Sequence, residues 1–256
     1  MEDYAAVYIP DRCIGCRACQ VACKLWNGRR PVETSFSPTF TNPVDLGPET
    51  YTIVKYIEAV ENGEPKWVFL KTQCMHCENP ACAAACPAHA IEVHEGGAVV
   101  IREDKCIGCR FCIDACPFNI PRYDPSRNKV YKCTFCIDRI QNGLEPACVS
   151  VCPTRALMFG PRSRLVSELK GKGYEVYGDS LPGVGSTHWL YATRKYKGRL
   201  TDPKWFGLPA APRPKPAALR PEVAAGGLGA AAIVAAGCLA HLIYWRIKRM
   251  KEKGEA

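Results

Sequence analysis

The chain has 256 residues, 47% of them hydrophobic, and a formal net charge of +9. That is enough apolar material for one or two folded domains and too much for a disordered polymer. Seventeen cysteines far exceed ordinary usage and confine the thiols to disulfides, metal ligation or redox chemistry.

The cysteines fall in groups along the chain. The first is Cys13, Cys16, Cys19 and Cys23; the second Cys74, Cys77, Cys82 and Cys86; the third Cys106, Cys109, Cys112 and Cys116; the fourth Cys133, Cys136, Cys148 and Cys152, with Cys238 alone. A disulfide scaffold would spread its partners, because two cysteines separated by two residues rarely meet in bridge geometry. Zinc is the stronger rival, since paired C-x-x-C units also make tetrahedral thiolate sites. Zinc does not account for the third cysteine after another two-residue gap, nor for the proline after the fourth.

The run C-x2-C-x2-C-x3-C-P holds iron-sulfur clusters: three close cysteines wrap one 4Fe-4S cluster and the fourth ligates a second. The third group matches fully with Pro117. The first matches except that Lys24 stands where the proline would be. The second and fourth widen one gap and keep the final C-x3-C-P, with Pro87 and Pro153. Small residues such as Gly15, Ala18 and Gly108 let the backbone curl around a cubane with its amides turned inward. Because fourth cysteines cross over, the groups must pair. Only 19 residues lie between Cys86 and Cys106, which favours the second with the third and leaves the first with the fourth. A thiolate-held cluster carries about −2 when oxidised, so the basic excess offsets the cofactors and the nucleic-acid reading is set aside.

Between the second and third groups, "AIEVHEGGAVVIRED" alternates polar and apolar positions around Gly96-Gly97 and predicts a hairpin. "KVYKC" and "ALMFG" predict further short strands. The pattern is α+β, two ferredoxin-like double-cluster modules over residues 1–160. An extension over 161–202 begins with "SRLVSELKGKGYEV", a helix expected to be capped by Ser163 and ended by Gly171 or Gly173. Residues 203–222 hold six prolines and predict an extended linker.

Val223 to Trp245 runs without Asp, Glu, Lys or Arg. At about 1.5 Å per residue such a helix reaches across a hydrocarbon core. Tyr244 and Trp245 precede the basic tail 246–256, which marks an interface. Ala225, Gly229, Ala232, Ala236 and Ala240 give a small-residue stripe for packing on a partner helix; the competing reading is a buried soluble helix. Five Lys or Arg follow the span against three in the ten residues before it, which puts the C-terminus in the cytoplasm and the cluster domain on the outer face. "MEDYAAVYIPDR" carries no twin-arginine or apolar leader, so export would depend on a partner's signal.

"CIGCRACQVACKLWN", "QCMHCENPACAAACP", "KCIGCRFCIDACPFNIPRYD" and "YKCTFCIDRIQNGLEPACVSVCPTRALMFG", in this order, resemble the four-cluster electron-transfer subunits of molybdopterin oxidoreductases. "GVGSTHWLY" and the C-terminal apolar segment are most similar to the beta subunits of membrane-bound respiratory formate dehydrogenases. The resemblance implies four 4Fe-4S clusters. Cluster one would take Cys13, Cys16, Cys19 and Cys152; cluster two Cys133, Cys136, Cys148 and Cys23; cluster three Cys74, Cys77, Cys82 and Cys116; cluster four Cys106, Cys109, Cys112 and Cys86. It further implies electron entry at cluster one from a molybdopterin-containing catalytic alpha subunit, and exit from cluster four to a cytochrome b gamma subunit and the quinone pool. Cys109 stands where some nitrate reductase relatives carry Trp, so a complete fourth cubane is expected. The same chemistry would serve a polysulfide, dimethyl sulfoxide or nitrite reductase, or a membrane hydrogenase; a zinc-stabilised nucleic-acid module is the reading of another class. No catalytic constellation of the chain's own is visible.

Some single residues admit two roles. His76 is a hydrogen-bond donor to a cluster sulfide or an ordinary loop residue. Lys24 and Arg17 either tune a cluster or lie on a solvated surface. His241, inside the apolar segment, serves a haem or quinone partner or a helix contact.

Overall fold

The computed structural model describes residues 3–213, with Leu239 and His241 beyond them. The chain divides into two units, Met1–Pro216 and Ala217–Ala256. The apolar segment 223–245, the basic tail and Cys238 thus lie almost wholly outside the described residues; Leu239 and His241 are helical and exposed. Among the described residues no helix is long and apolar enough to cross a membrane.

In chain order the elements are β1 (Tyr4–Tyr8), α1 (Ala18–Trp26), β2 (Ile53–Glu61), β3 (Glu64–Thr72), α2 (Ala81–Ala84), β4 (Ile91–Val93), β5 (Val99–Ile101), α3 (Phe111–Ala115), β6 (Arg122–Asp124), β7 (Lys129–Tyr131), α4 (Ile137–Gln141), α5 (Ala147–Ser150), β8 (Leu157–Pro161), α6 (Arg162–Gly171), β9 (Glu175–Tyr177) and β10 (Trp189–Thr193). Short strands and helices of one or two turns alternate, a mixed α/β architecture.

One sheet runs in the order β8-β1-β10-β9. β1 lies at its centre, antiparallel to β8 and parallel to β10. Strand alternation sends its side chains to opposite faces. Ala6 and Tyr8 enter the core shared with the cysteine loops, whereas Ala5, Val7 and Ile9 meet Leu165, Val166 and Leu169 of α6. The extension after residue 160 is therefore part of the core: β10 and β8 enclose the amino-terminal strand.

The sequence places α6 correctly and its start wrongly. Pro161, not Ser163, occupies the N-cap, and no side chain caps the helix. Proline at 161 cannot donate a backbone hydrogen bond, so it suits the helix entrance, and Ser163 falls inside the first turn. The end is a Schellman turn: Gly173 has φ +75° and donates to the Lys170 carbonyl, and Tyr174 donates to Leu169. Glycine relieves the left-handed strain, while Tyr174 packs with Leu169 in the same cluster.

The Gly96-Gly97 hairpin forms between β4 and β5, and β7 and β8 fall on "KVYKC" and "ALMFG". A longer hairpin, β2–β3, turns at Asn62 and Gly63, whose φ values are 53° and 81°. This is the mirror-image turn that an Asn-Gly pair between apolar runs favours. The signal was present in the sequence.

Candidate metal centres

Each C-x-x-C loop needs a left-handed residue before its second cysteine. Gly15, His76, Gly108 and Phe135 occupy those positions with φ of 69°, 48°, 71° and 61°. Such a conformation turns successive amides inward and makes a concavity for an anion. Amides of His76 and Phe135 point back at Cys74 Sγ and Cys133 Sγ, at 3.5 and 3.4 Å. Glycine also admits neighbours: a Cβ on Gly15 would sit 2.8 Å from the Phe69 ring.

Prolines end three of the four loops. α2, α3 and α5 stop before Cys86, Cys116 and Cys152, each followed by proline, which disfavours helical geometry at the cysteine itself. Lys24 lifts that restriction, and α1 continues through Cys23 to Trp26. The Lys24 ammonium donates to the Arg30 and Glu49 carbonyls, both at 2.7 Å, and so ties down the following loop.

The sixteen described cysteines are all free thiols, and they gather around four cavities. Cys13, Cys16 and Cys19 line the first together with Cys152. Cys133, Cys136 and Cys148 line the second together with Cys23. Cys74, Cys77, Cys82 and Cys116 surround the third, and Cys106, Cys109, Cys112 and Cys86 the fourth. Thiols spread around such cavities differ from a tetrahedral zinc site, whose sulfurs stand about 2.3 Å from one ion. Among the described residues no group of three or more His, Cys, Asp or Glu side chains converges to hold a single ion.

Apolar side chains make up much of the remaining lining, alongside Lys71, Lys132, Arg17 and Arg110. Tyr8, Ile14, Val54 and Leu157 close the first cavity, and Ala90, Ile91, Ile101 and Val130 the fourth. Burial pushes the Cys19, Cys82, Cys112 and Cys133 thiols up to about 12 and Cys136 to about 11. Bare, these would stay protonated; bound iron would displace the protons, which couples metal affinity to folding. Trp189 lines the second cavity, and its Nε1–H is buried without an acceptor among the described residues. The donor set, the inward amides and this orphaned donor suit a group rich in sulfur and negative charge.

The cavities adjoin in series. Lys71 lines both the first and the second. The His76 and Phe135 rings, centroids 4.8 Å apart, join the loops of the third and second. Cys112 in α3 and Cys116 just after its end line the fourth and the third.

"GVGSTHWLY" braces the loop of the third cavity. Glu78 N–H donates to the Ser186 carbonyl and Asn79 N–H to Val184, while Trp189 N–H donates to Met75 at 3.0 Å. A side chain on Gly97 would collide with the His188 ring, so the β4–β5 turn is pinned there too. His76 is fully buried, accepts the Val99 amide on Nδ1 at 3.0 Å, and has Nε2 without a partner among the described residues. Burial, reinforced by the Lys132 charge, holds it well below the ordinary histidine range and therefore neutral. Arg17 lines the first cavity with its guanidinium 4.6 Å from the Tyr56 ring centroid. Lys71 and Tyr8, which pack around the cavities, carry no motif that sequence reading could have used; Lys132 lies in "KVYKC" and Trp189 in "GVGSTHWLY", but nothing in those stretches marks them as cavity-lining.

Two family models, both described as a 4Fe-4S dicluster domain, match residues 12–90 and 65–162. The formate dehydrogenase iron-sulfur subunit of Haemophilus influenzae is 44% identical over 208 residues, covering 75% of this chain and 67% of the relative. The nitrate-inducible formate dehydrogenase iron-sulfur subunit of Escherichia coli is 42% identical over 236 residues, 84% of this chain and 77% of the relative. One subunit of the anaerobic dimethyl sulfoxide reductase of E. coli is 38% identical over 166 residues, 63% of this chain and 73% of the relative.

Proposed function

From the premise that this chain belongs to the family of formate dehydrogenase iron-sulfur subunits, we propose that it relays electrons from a molybdopterin-containing formate dehydrogenase catalytic subunit, through four 4Fe-4S clusters, to a membrane cytochrome b and the quinone pool. Cluster one is held by Cys13, Cys16, Cys19 and Cys152; cluster two by Cys133, Cys136, Cys148 and Cys23. Cluster three is held by Cys74, Cys77, Cys82 and Cys116, and cluster four by Cys106, Cys109, Cys112 and Cys86. The carrying observation is the grouping of sixteen thiols around four adjoining cavities, each lined by three cysteines of one group and the last of another.

Bound clusters supply one-electron carriers; the chain's residues hold them, exclude water and set their surroundings. Every group's last cysteine reaches into a neighbouring cavity, so each pair of loops is covalently tied through two clusters. Both end loops reach the surface by the same residue type: Ile14 at the first cavity is 60% exposed and Ile107 at the fourth 59%. These loops are the places for the catalytic and the membrane partner to approach.

Segment 223–245 serves as a single membrane span, with the cluster domain on the outer face and the basic tail in the cytoplasm. Its support is the uncharged apolar run and the five cations after it. The test is purification of the complex from detergent-solubilised membranes, with metal analysis and formate-dependent quinone reduction. About sixteen irons per chain and a 400 nm absorption bleached by formate are expected. A colourless, zinc-loaded chain would overturn the reading.

A further inference from the structure

Two lysines are buried where sequence composition would place none. Lys71 is 1% exposed and Lys132 4%. A lysine ammonium is rarely taken out of water without an anion, because the desolvation cost is several kcal/mol or more. The acceptors the chain gives them are neutral. Lys71 Nζ donates to Thr52 Oγ1 and Gln73 Oε1, both at 2.9 Å, and stands 4.3 Å from the Trp189 ring centroid. Lys132 Nζ donates to the carbonyls of Val99 and Cys133.

Their positions are informative. Lys71 lines the first and the second cavity at once. Lys132 lines the third, and its second acceptor is the carbonyl of Cys133, which lines the second. The thiol sulfurs that bear most on Lys71 are those of Cys148, Cys19, Cys133 and Cys23, and on Lys132 those of Cys74, Cys82 and Cys133, all of them cluster ligands in the reading above. Each ammonium thus sits at a junction of adjacent cavities.

Lys71 is also held in place. Gln73 Nε2 donates to the Tyr191 hydroxyl at 3.2 Å, and that hydroxyl donates to the Lys71 carbonyl at 2.7 Å. The Thr52 hydroxyl, which accepts from Lys71, donates onward to the Thr72 carbonyl at 3.1 Å. The charge is fixed by a closed ring of hydrogen bonds between β3 and β10.

We propose that Lys71 and Lys132 are fixed cations placed between successive clusters, raising the potentials of the clusters on either side so that an electron crosses the buried middle of the series without a deep energetic step. This rests on the four-cluster reading above. Burial disfavours the reduced, more negative form of a cluster, and a nearby positive charge opposes that. Both residues act through the clusters and ligate nothing.

The test is an anaerobic redox titration of the holocomplex followed by electron paramagnetic resonance, after iron has been counted. Lys71→Met keeps the length and apolar stem and removes the charge; Lys71→Arg keeps the charge. Lys71→Met should lower the midpoints of two clusters, each reduction equilibrium falling about tenfold, or about 59 mV for one electron, while Lys71→Arg stays near the unaltered values. Lys132→Met should lower a different pair that shares one cluster with the first. Unchanged midpoints in fully loaded Met variants overturn the proposal, and so does an equal fall in the Arg variant. Should the Met variants lose iron, the unaltered holocomplex carrying 15N-lysine decides. Hyperfine coupling of lysine nitrogen to the reduced clusters is expected, and its absence overturns the proposal. An unaltered chain without iron removes the four-cluster reading itself, a result separable from clusters that are present at unshifted potentials.

Discussion

His76 and Phe135 occupy the same position in two different C-x-x-C loops, both in left-handed conformation, and their rings pack against each other at 4.8 Å. Each loop presents a ring where the other two use glycine, so side chains join the loops of the second and third cavities at this point.

Phe135 is 1% exposed and also meets Phe159 and Trp189. Phe135→Ala should cost about 3–5 kcal/mol, the range for deleting a buried aromatic. Chemical denaturation of the loaded protein, with iron release followed by absorbance, measures it. A loss under about 1 kcal/mol would show that the ring contact is not a structural joint.

Gly108 and Gly143 share a φ of +71°, yet a Cβ at 108 would strike the side chain and carbonyl oxygen of Asn128, and at 143 would meet nothing within 4 Å. Both alanine variants carry the backbone strain of about 1 kcal/mol. Only Gly108→Ala should also lose about four irons, one cubane. Equal iron in the two variants would contradict a tightly packed fourth loop.

Crossed ligation is tested by counting. Cys16→Ser with Cys152→Ser alters a single cavity and should remove about four irons, one cubane. Cys148→Ser with Cys152→Ser alters two cavities and should remove about eight irons, two cubanes. The reverse order would assign each group its own cluster.

Lys24 stands inside α1 rather than after it. Lys24→Pro, which restores the proline of the other three groups, should destabilise by about 3 kcal/mol or more, because it breaks the helix at Cys23. Lys24→Met loses only the two 2.7 Å bonds to the Arg30 and Glu49 carbonyls, about 1 kcal/mol each. Thermal unfolding of the two variants side by side gives the comparison, and a proline variant no worse than the methionine one would remove the helical account.

Glu49 accepts the Arg30 amide and the Arg127 guanidinium, both at 2.8 Å. Burial raises its carboxyl, but the Arg30 amide and Arg127 outweigh it, so the pKa lies below the ordinary value. Its stabilisation is therefore complete above the unfolded glutamate range, near about 4.3, and fades as pH falls through the lower folded value. Glu49→Gln should be about 1 kcal/mol less stable at neutral pH and converge with the unaltered protein in acid. A difference independent of pH would point to shape rather than charge.

The cysteines, their spacing and the short hairpins stand out in the amino-acid order because a loop that wraps a cubane is a local object, set by a few dihedrals and the residues that tolerate them. Even the β2–β3 turn is written locally, in Asn62-Gly63. The brace of "GVGSTHWLY" on Met75, Glu78 and Asn79, the enclosure of β1 by β8 and β10, and the cavity each last cysteine enters all depend on contacts between distant parts of the chain. Lys71 and Lys132 are the clearest case. A lysine in a sequence reads as solvent-facing, and only folding, by closing thiol-lined cavities around these two ammonium groups, makes each a buried charge.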